Sequence, residues 1–246
     1  MAFSVEAEPY AAVAEFVEIA LSEAWTELDL QLAESLTRAP SDPHAAVVDI
    51  GAGGGRGVLA VGRSMPIGPI VAVEPSAPMR AVLLSRLALD PELLRGRTTV
   101  LPTDLAGADL PGRWSAALAL NMLGHLEPTQ RRRLWDMAAD RLLPGAPLLI
   151  TVQPPYTVTA IPEMDWGSVP VGRQSVVTSG RAEPDGPKSV VWHITYRVVE
   201  GRQVLREERM SHRWYVLDVA GLCAELDDAG LRAEAVGDRL ICAVRR

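Results

Sequence analysis

Between residues 45 and 152 the chain alternates short apolar runs with amphipathic stretches, and this alternation restricts its fold more than any other feature. The runs at 45–50, 69–73, 98–101, 115–120 and 147–152 read as strands. The stretches at 54–63, 78–89 and 128–143 read as helices, the last with Pro128 near its first turn, where a missing N–H costs nothing. Leu134, Met137, Ala138 and Leu142 recur at helical spacing and form its inward stripe. Strands with no wet face are buried on both sides, which calls for a parallel sheet covered by helices on both faces. The fold class is therefore α/β.

The flanks differ from this core. Over 8–38, apolar residues at Tyr10, Val13, Ala14, Val17, Leu21, Trp25, Leu28, Leu32 and Leu36 make one helical stripe, stopped by the prolines of 37–44. Beyond Gln153 the segments 168–178, 188–199 and 203–215 read as extended, with turns at 183–187 and at Glu200–Gly201. That is an antiparallel excursion and not another βα unit. A helix over 217–229 ends at Gly230, a C′ glycine, and 231–244 reads as a hairpin turning at Gly237–Asp238. The division is one domain over 1–246. A helical segment spans 1–40, a core 45–153, an antiparallel lobe 154–215, and a terminal helix and hairpin 216–246.

A chain of 246 residues buries a core without staples, and its two cysteines, Cys223 and Cys242, suggest neither a disulfide framework nor a thiolate metal site. Four scattered histidines lack metal-ligand spacing, so no metal is expected. The net charge of −7 argues against a nucleic-acid partner, which needs a basic face. No apolar stretch is long enough to span a bilayer, and the first ten residues do not read as a signal peptide, so no membrane partner and a cytoplasmic location are expected.

The chemistry is concentrated in Val47-Val48-Asp49-Ile50-Gly51-Ala52-Gly53-Gly54-Gly55-Arg56-Gly57, between a buried strand and a helix. Such glycines let the backbone turn sharply and let a ligand approach, while the helix N-terminus offers free N–H groups. The dinucleotide fingerprint GxGxxG/A fails in both registers, since the sixth position is Arg56 or Val58.

What fits is acidic-x-Gly-x-Gly-x-Gly, as Asp49, Gly51, Gly53 and Gly55. Here the sequence resembles the class I S-adenosylmethionine-dependent methyltransferases, in particular bacterial small-molecule enzymes of the natural-product type. The resemblance implies a Rossmann-like, doubly wound, mostly parallel seven-stranded sheet with an N-terminal helical lid and an antiparallel β excursion after the fifth strand. It also implies S-adenosylmethionine as cofactor, with Asp49 near its ammonium. Glu74, ending the second strand, would take the ribose hydroxyls. Asp104 and the N–H of Leu105 would bind adenine, and Asn121 and Met122 at the end of the fourth strand would lie near the sulfonium. The resemblance covers 45–153 well and is loosest over 1–40 and 154–215, where such enzymes build substrate pockets.

In the run Asn121-Met122-Leu123-Gly124-His125-Leu126, His125 is the candidate general base, since its ordinary pKa lies near neutrality. Tyr10, Tyr156 and His193 are candidates for binding the acceptor. His212 reads as an ordinary sheet residue, and Arg131-Arg132-Arg133 as a solvated helix face. Gln153-Pro154-Pro155-Tyr156 looks like the signature of methyltransferases acting on planar amino groups, but it follows the fifth strand where that signature follows the fourth. Trp166, Trp192, Tyr196, Trp214 and Tyr215 gather aromatic surface on the excursion, for an acceptor pocket or a dimer interface. The expected activity is methyl transfer to O or N of a small metabolite. A cyclase using the cofactor without methyl transfer, a non-catalytic binding module and a homodimer through the lobe stay open.

Overall fold

The computed structural model describes residues 8–246. The first seven residues of the predicted 1–40 segment thus lie outside the described residues. Two helices follow where the stripe predicts one: α1 (Ala14–Ala20) and α2 (Ser22–Thr37), joined at Leu21. Trp25, Leu28, Leu32 and Leu36 recur every three or four residues and turn one face of α2 into the core. Tyr10 precedes α1, in a turn and not on a helix.

The central sheet contains β1 (Ala46–Ile50), β2 (Ile70–Val73), β3 (Thr98–Leu101), β4 (Trp114–Ala119) and β5 (Pro147–Thr151). It is completed by the C-terminal hairpin, β10 (Leu231–Val236) and β11 (Leu240–Arg245). The order is β10-β11-β5-β4-β1-β2-β3, seven strands of which only β11 runs against the others. Every residue of β1, β2, β4 and β5 is buried, as unbroken apolar runs require. One core packs Ile50, Trp114, Leu148 and Ile241 beneath α5 (Pro128–Arg141) and α6 (Val219–Asp228). The other packs Val47, Leu118 and Leu149 beneath α2, α3 (Arg56–Ser64) and α4 (Ala77–Leu89).

The excursion has four antiparallel strands where three are predicted: β6 (Ile161–Val171), β7 (Gln174–Pro184), β8 (Ser189–Glu200) and β9 (Gln203–Tyr215). The predicted segment 168–178 straddles a turn at Gly172, whose φ is +63°. Strand alternation divides this sheet sharply. Val176, Tyr196 and Met210 face inward onto Val13 and Phe16 of the α1 segment. The outward positions carry the ion pairs Arg197–Glu207, Arg209–Glu207 and Arg213–Asp185.

The arginine run corrects the expectation of a solvated face. Arg131 is only 4% exposed and donates to both carboxylate oxygens of Glu225 on α6 and to the carbonyl of Leu126. Trp135 donates to the same carboxylate. Arg132 is exposed and pairs with Asp136. Among the described residues no helix is long and apolar enough to cross a membrane, and no group of His, Cys, Asp and Glu is placed to hold a metal ion.

Candidate functional site

A cavity of about 460 Å³ opens at the carboxyl ends of β1, β2 and β4, beside the point where the sheet order reverses. Its floor is the glycine turn after β1, where Gly51 and Gly53 line the space. Gly55 is not part of the lining. Its φ of +87° caps α3, and a Cβ there would run into Leu83 of α4, so this third glycine serves helix packing.

Two buried carboxylates, Asp49 and Glu74, line the cavity and interact electrostatically. Asp49 is 2% exposed, accepts the backbone N–H of Val58, and among the described residues leaves Oδ2 without a hydrogen-bond partner. Burial, reinforced by the charge of Glu74, pushes its pKa up to about 7. Glu74, also buried, accepts the N–H of Gly53 at 2.8 Å and that of Ser76 at 2.7 Å. Burial raises its pKa, while those two bonds and Arg80 oppose the rise. Asp104 lines the same space with an exposed side chain, accepting the N–H of Gly107 at 2.9 Å, next to buried Leu105.

At the end of β4, Asn121 sits at φ +55°. Its N–H donates to Thr151 Oγ1 at 2.6 Å, and the threonine hydroxyl donates back to Asn121 Oδ1 at 3.0 Å. This clamp presents Asn121 and Met122 to the cavity. A single 3-10 turn, Leu123–His125, then carries His125 to its edge.

His125 Nε2 lies 3.0 Å from the Tyr10 hydroxyl. Its ring packs 5.0 Å from His212 and 5.0 Å, edge-on, from Trp214, both on β9. Burial depresses the pKa of His125 to about 4 and that of His212 to about 3, the latter also by the charge of His125. Both imidazoles are neutral at physiological pH, and among the described residues the buried His212 Nδ1 has no hydrogen-bond partner. Burial likewise raises the Tyr10 phenol.

One wall of the cavity is built by Glu8, Pro9, Tyr10, Val17, Glu18 and Trp25. Glu18 fixes that wall to the glycine turn. It accepts from Arg56 Nε at 2.9 Å and from Arg86 Nη2 at 2.6 Å, while Arg86 also donates to the carbonyl of Gly54.

Of the residues singled out in sequence, Tyr10, Asp49, Gly51, Gly53, Glu74, Asp104, Leu105, Asn121, Met122 and His125 converge on this cavity. Two expected acceptor residues do not. His193 occupies an outward position of β8, register-paired with Ser211 and hydrogen-bonded to it, because it is one residue out of phase with the inward Trp192. Tyr156 is exposed in the loop after β5, outside the lining. Sequence reasoning missed Glu18 and His212, since a glutamate on a helix and a histidine on a strand carry no local sign of a distant partner. A second cavity, of about 310 Å³, adjoins the first through Leu21, Trp25 and Asn121 and is edged by Glu23, Glu27 and Asp238.

No protein-family model and no curated protein sequence matches the chain. Solved structures do match it closely in shape. DesVI of Streptomyces venezuelae shares 17% identity at a TM-score of 0.70, covering 93% of this chain and 98% of that one. CalS10 of Micromonospora echinaspora, an amino pentose methyltransferase with bound S-adenosylmethionine, shares 17% at 0.72, covering 97% and 99%. The glycopeptide N-methyltransferase MtfA, solved with S-adenosylhomocysteine, shares 21% at 0.58, covering 89% and 87%. With its sheet order, its antiparallel lobe and its end-to-end overlap with these proteins, the chain has the fold of the bacterial S-adenosylmethionine-dependent small-molecule methyltransferases.

Proposed function

We propose that this protein transfers a methyl group from S-adenosylmethionine to an oxygen or nitrogen of a small metabolite. The observation that carries the reading is the buried Asp49 carboxylate, with one unpartnered oxygen, beside Glu74 over the glycine turn. Two carboxylates in one cavity call for a cationic ligand. A ligand bearing an ammonium and a sulfonium fits that need. Similarity of fold to enzymes solved with this cofactor or its product supports the same choice.

Bound there, the cofactor supplies a methyl group activated by positively charged sulfur. Asp49 holds the ammonium. Glu74 retains lone pairs beyond its two backbone bonds and takes the ribose hydroxyls. Asp104 and the Leu105 N–H would hold the adenine, and Asn121 and Met122 would line the sulfonium end. The wall from Glu8 to Trp25 acts as a lid that excludes water. His125, neutral and within reach of Tyr10, takes the proton released by an acceptor O–H or N–H, and Tyr10 orients that acceptor. Holding an acceptor in line for displacement would lower the barrier by up to roughly 7–11 kcal/mol. A small acceptor is further supported by the acidic balance, which suits no nucleic-acid partner.

Calorimetric titration tests the assignment. S-adenosylmethionine and S-adenosylhomocysteine bind, NAD does not, and Asp49→Ala weakens both sulfur ligands by about ten- to a hundredfold, the worth of a charged hydrogen bond. Binding of NAD in place of the sulfur ligands overturns the reading.

A further inference from the structure

The inward face of the four-stranded sheet continues past His212. Trp192 on β8 is the register partner of His212, so the two side chains stand side by side on that face. Beyond Trp192 lies Trp166 of β6, its ring 5.3 Å away and edge-on. Trp166 has room because the position beneath it is Gly180, where a Cβ would come within 2.5 Å of the indole. The rings Tyr10, His125, His212, Trp192 and Trp166 thus form a continuous path from the cavity to the sheet edge. From His125 outward the path spans roughly 15 Å.

Two further observations say what belongs there. Met164 and Trp166 remain 48% and 43% exposed although the Trp166 ring lies over the inward face, so among the described residues nothing covers them at the β6 edge. The path also carries no formal charge. Arg206 and Glu208 belong to the other end of the sheet, where Arg206 lies over Phe16 and pairs with Glu15 and Glu208. Arg197–Glu207, Arg209–Glu207 and Arg213–Asp185 lie outward, and Arg173–Glu200 sits at the hairpin ends by Arg206. A phosphorylated or strongly ionic ligand finds no partner on this path, whereas a flat neutral one finds ring faces along its length.

We propose that the Trp166–Trp192 face is the acceptor subsite and that the acceptor is a neutral, planar aromatic molecule of two or three fused rings. Its hydroxyl or amino group reaches Tyr10 and His125 while its distal ring packs on Trp166. The proposal rests on the methyl-transfer reading for the identity of the reacting end.

The test titrates the full chain, with S-adenosylhomocysteine present, against 2-hydroxyanthracene, a three-ring phenol that is uncharged at neutral pH, and against uridine diphosphate glucosamine, a charged sugar. The phenol quenches tryptophan fluorescence on binding. Trp166→Ala, a change at an exposed edge that leaves the circular dichroism intact, weakens the phenol about tenfold, and Trp166→Phe restores most of the loss. The charged sugar does not bind. Equal phenol affinity in Trp166→Ala, or binding of the sugar and not of the phenol, overturns the proposal. So does a dimer in sedimentation that Trp166→Ala splits into monomers, because the tryptophans would then be an interface. Titration with S-adenosylmethionine alone scores the underlying reading separately: loss of cofactor binding with Trp166-dependent phenol binding sinks the activity and leaves the subsite.

Discussion

Asp49 is a buried carboxylate whose charge has, among the described residues, no partner beyond one backbone N–H. Its pKa near 7 means that, with the cavity empty, the group is mostly protonated at pH 6. The sign follows directly. A folded-state pKa above the ordinary value of about 4 means that the native state holds a proton the unfolded chain releases, so this group's contribution to stability falls as pH rises from about 4 to 7. A cationic ligand reverses the preference by favouring the ionised form. Binding of S-adenosylmethionine at pH 6 therefore releases about one proton, and at pH 8 close to none. Binding enthalpies measured in buffers of different ionisation heat report that number directly. Asp49→Asn abolishes the release, and persistence of the proton in that variant would assign it to Glu74.

Among the elements, α5 and α6 are joined by an ion pair hidden within a basic run. Arg131 is buried against Glu225, whereas Arg132, one residue on, is in water. Removing a buried partner strands the other charge, so Arg131→Ala costs about 2–3 kcal/mol in denaturant unfolding, while Arg132→Ala stays within about 0.5 kcal/mol. Sequence could not separate the two arginines, because a run of like residues turns through every direction of a helix and only the neighbouring helix decides which one is covered. The same limit applies to Leu21. Its place in an unbroken apolar stripe gives no sign that α1 ends there. Strands bounded by turns on both sides behave differently. The strands β1 to β5 and the terminal hairpin lie where their apolar runs place them, to within a residue or two at either end.

Across the whole molecule, the residues that local spacing could place are those on the turns after β1, β2, β3 and β4, since each is anchored by the strand before it. His212, Trp192 and Trp166 were beyond such reasoning, because the face each presents depends on the register of β6 to β9 and β6 is almost wholly exposed. The lobe is nonetheless part of the core's packing. Phe16 stacks on Tyr196, and the Trp214 indole fills the space that a side chain on Gly124 would need. Equilibrium unfolding followed by tryptophan fluorescence and by far-ultraviolet circular dichroism accordingly gives one coincident transition. Two transitions would make the lobe an independent unit.

The alternation of the four lobe strands has a consequence for how such a protein can change over time. Inward positions meet the candidate site and outward positions carry the surface ion pairs, so neighbouring residues of one strand answer to separate demands. Substitution at one set retunes which molecule is held, and substitution at the other adjusts how the surface meets water, with little trade between them. Selectivity can drift quickly here while solubility stays fixed.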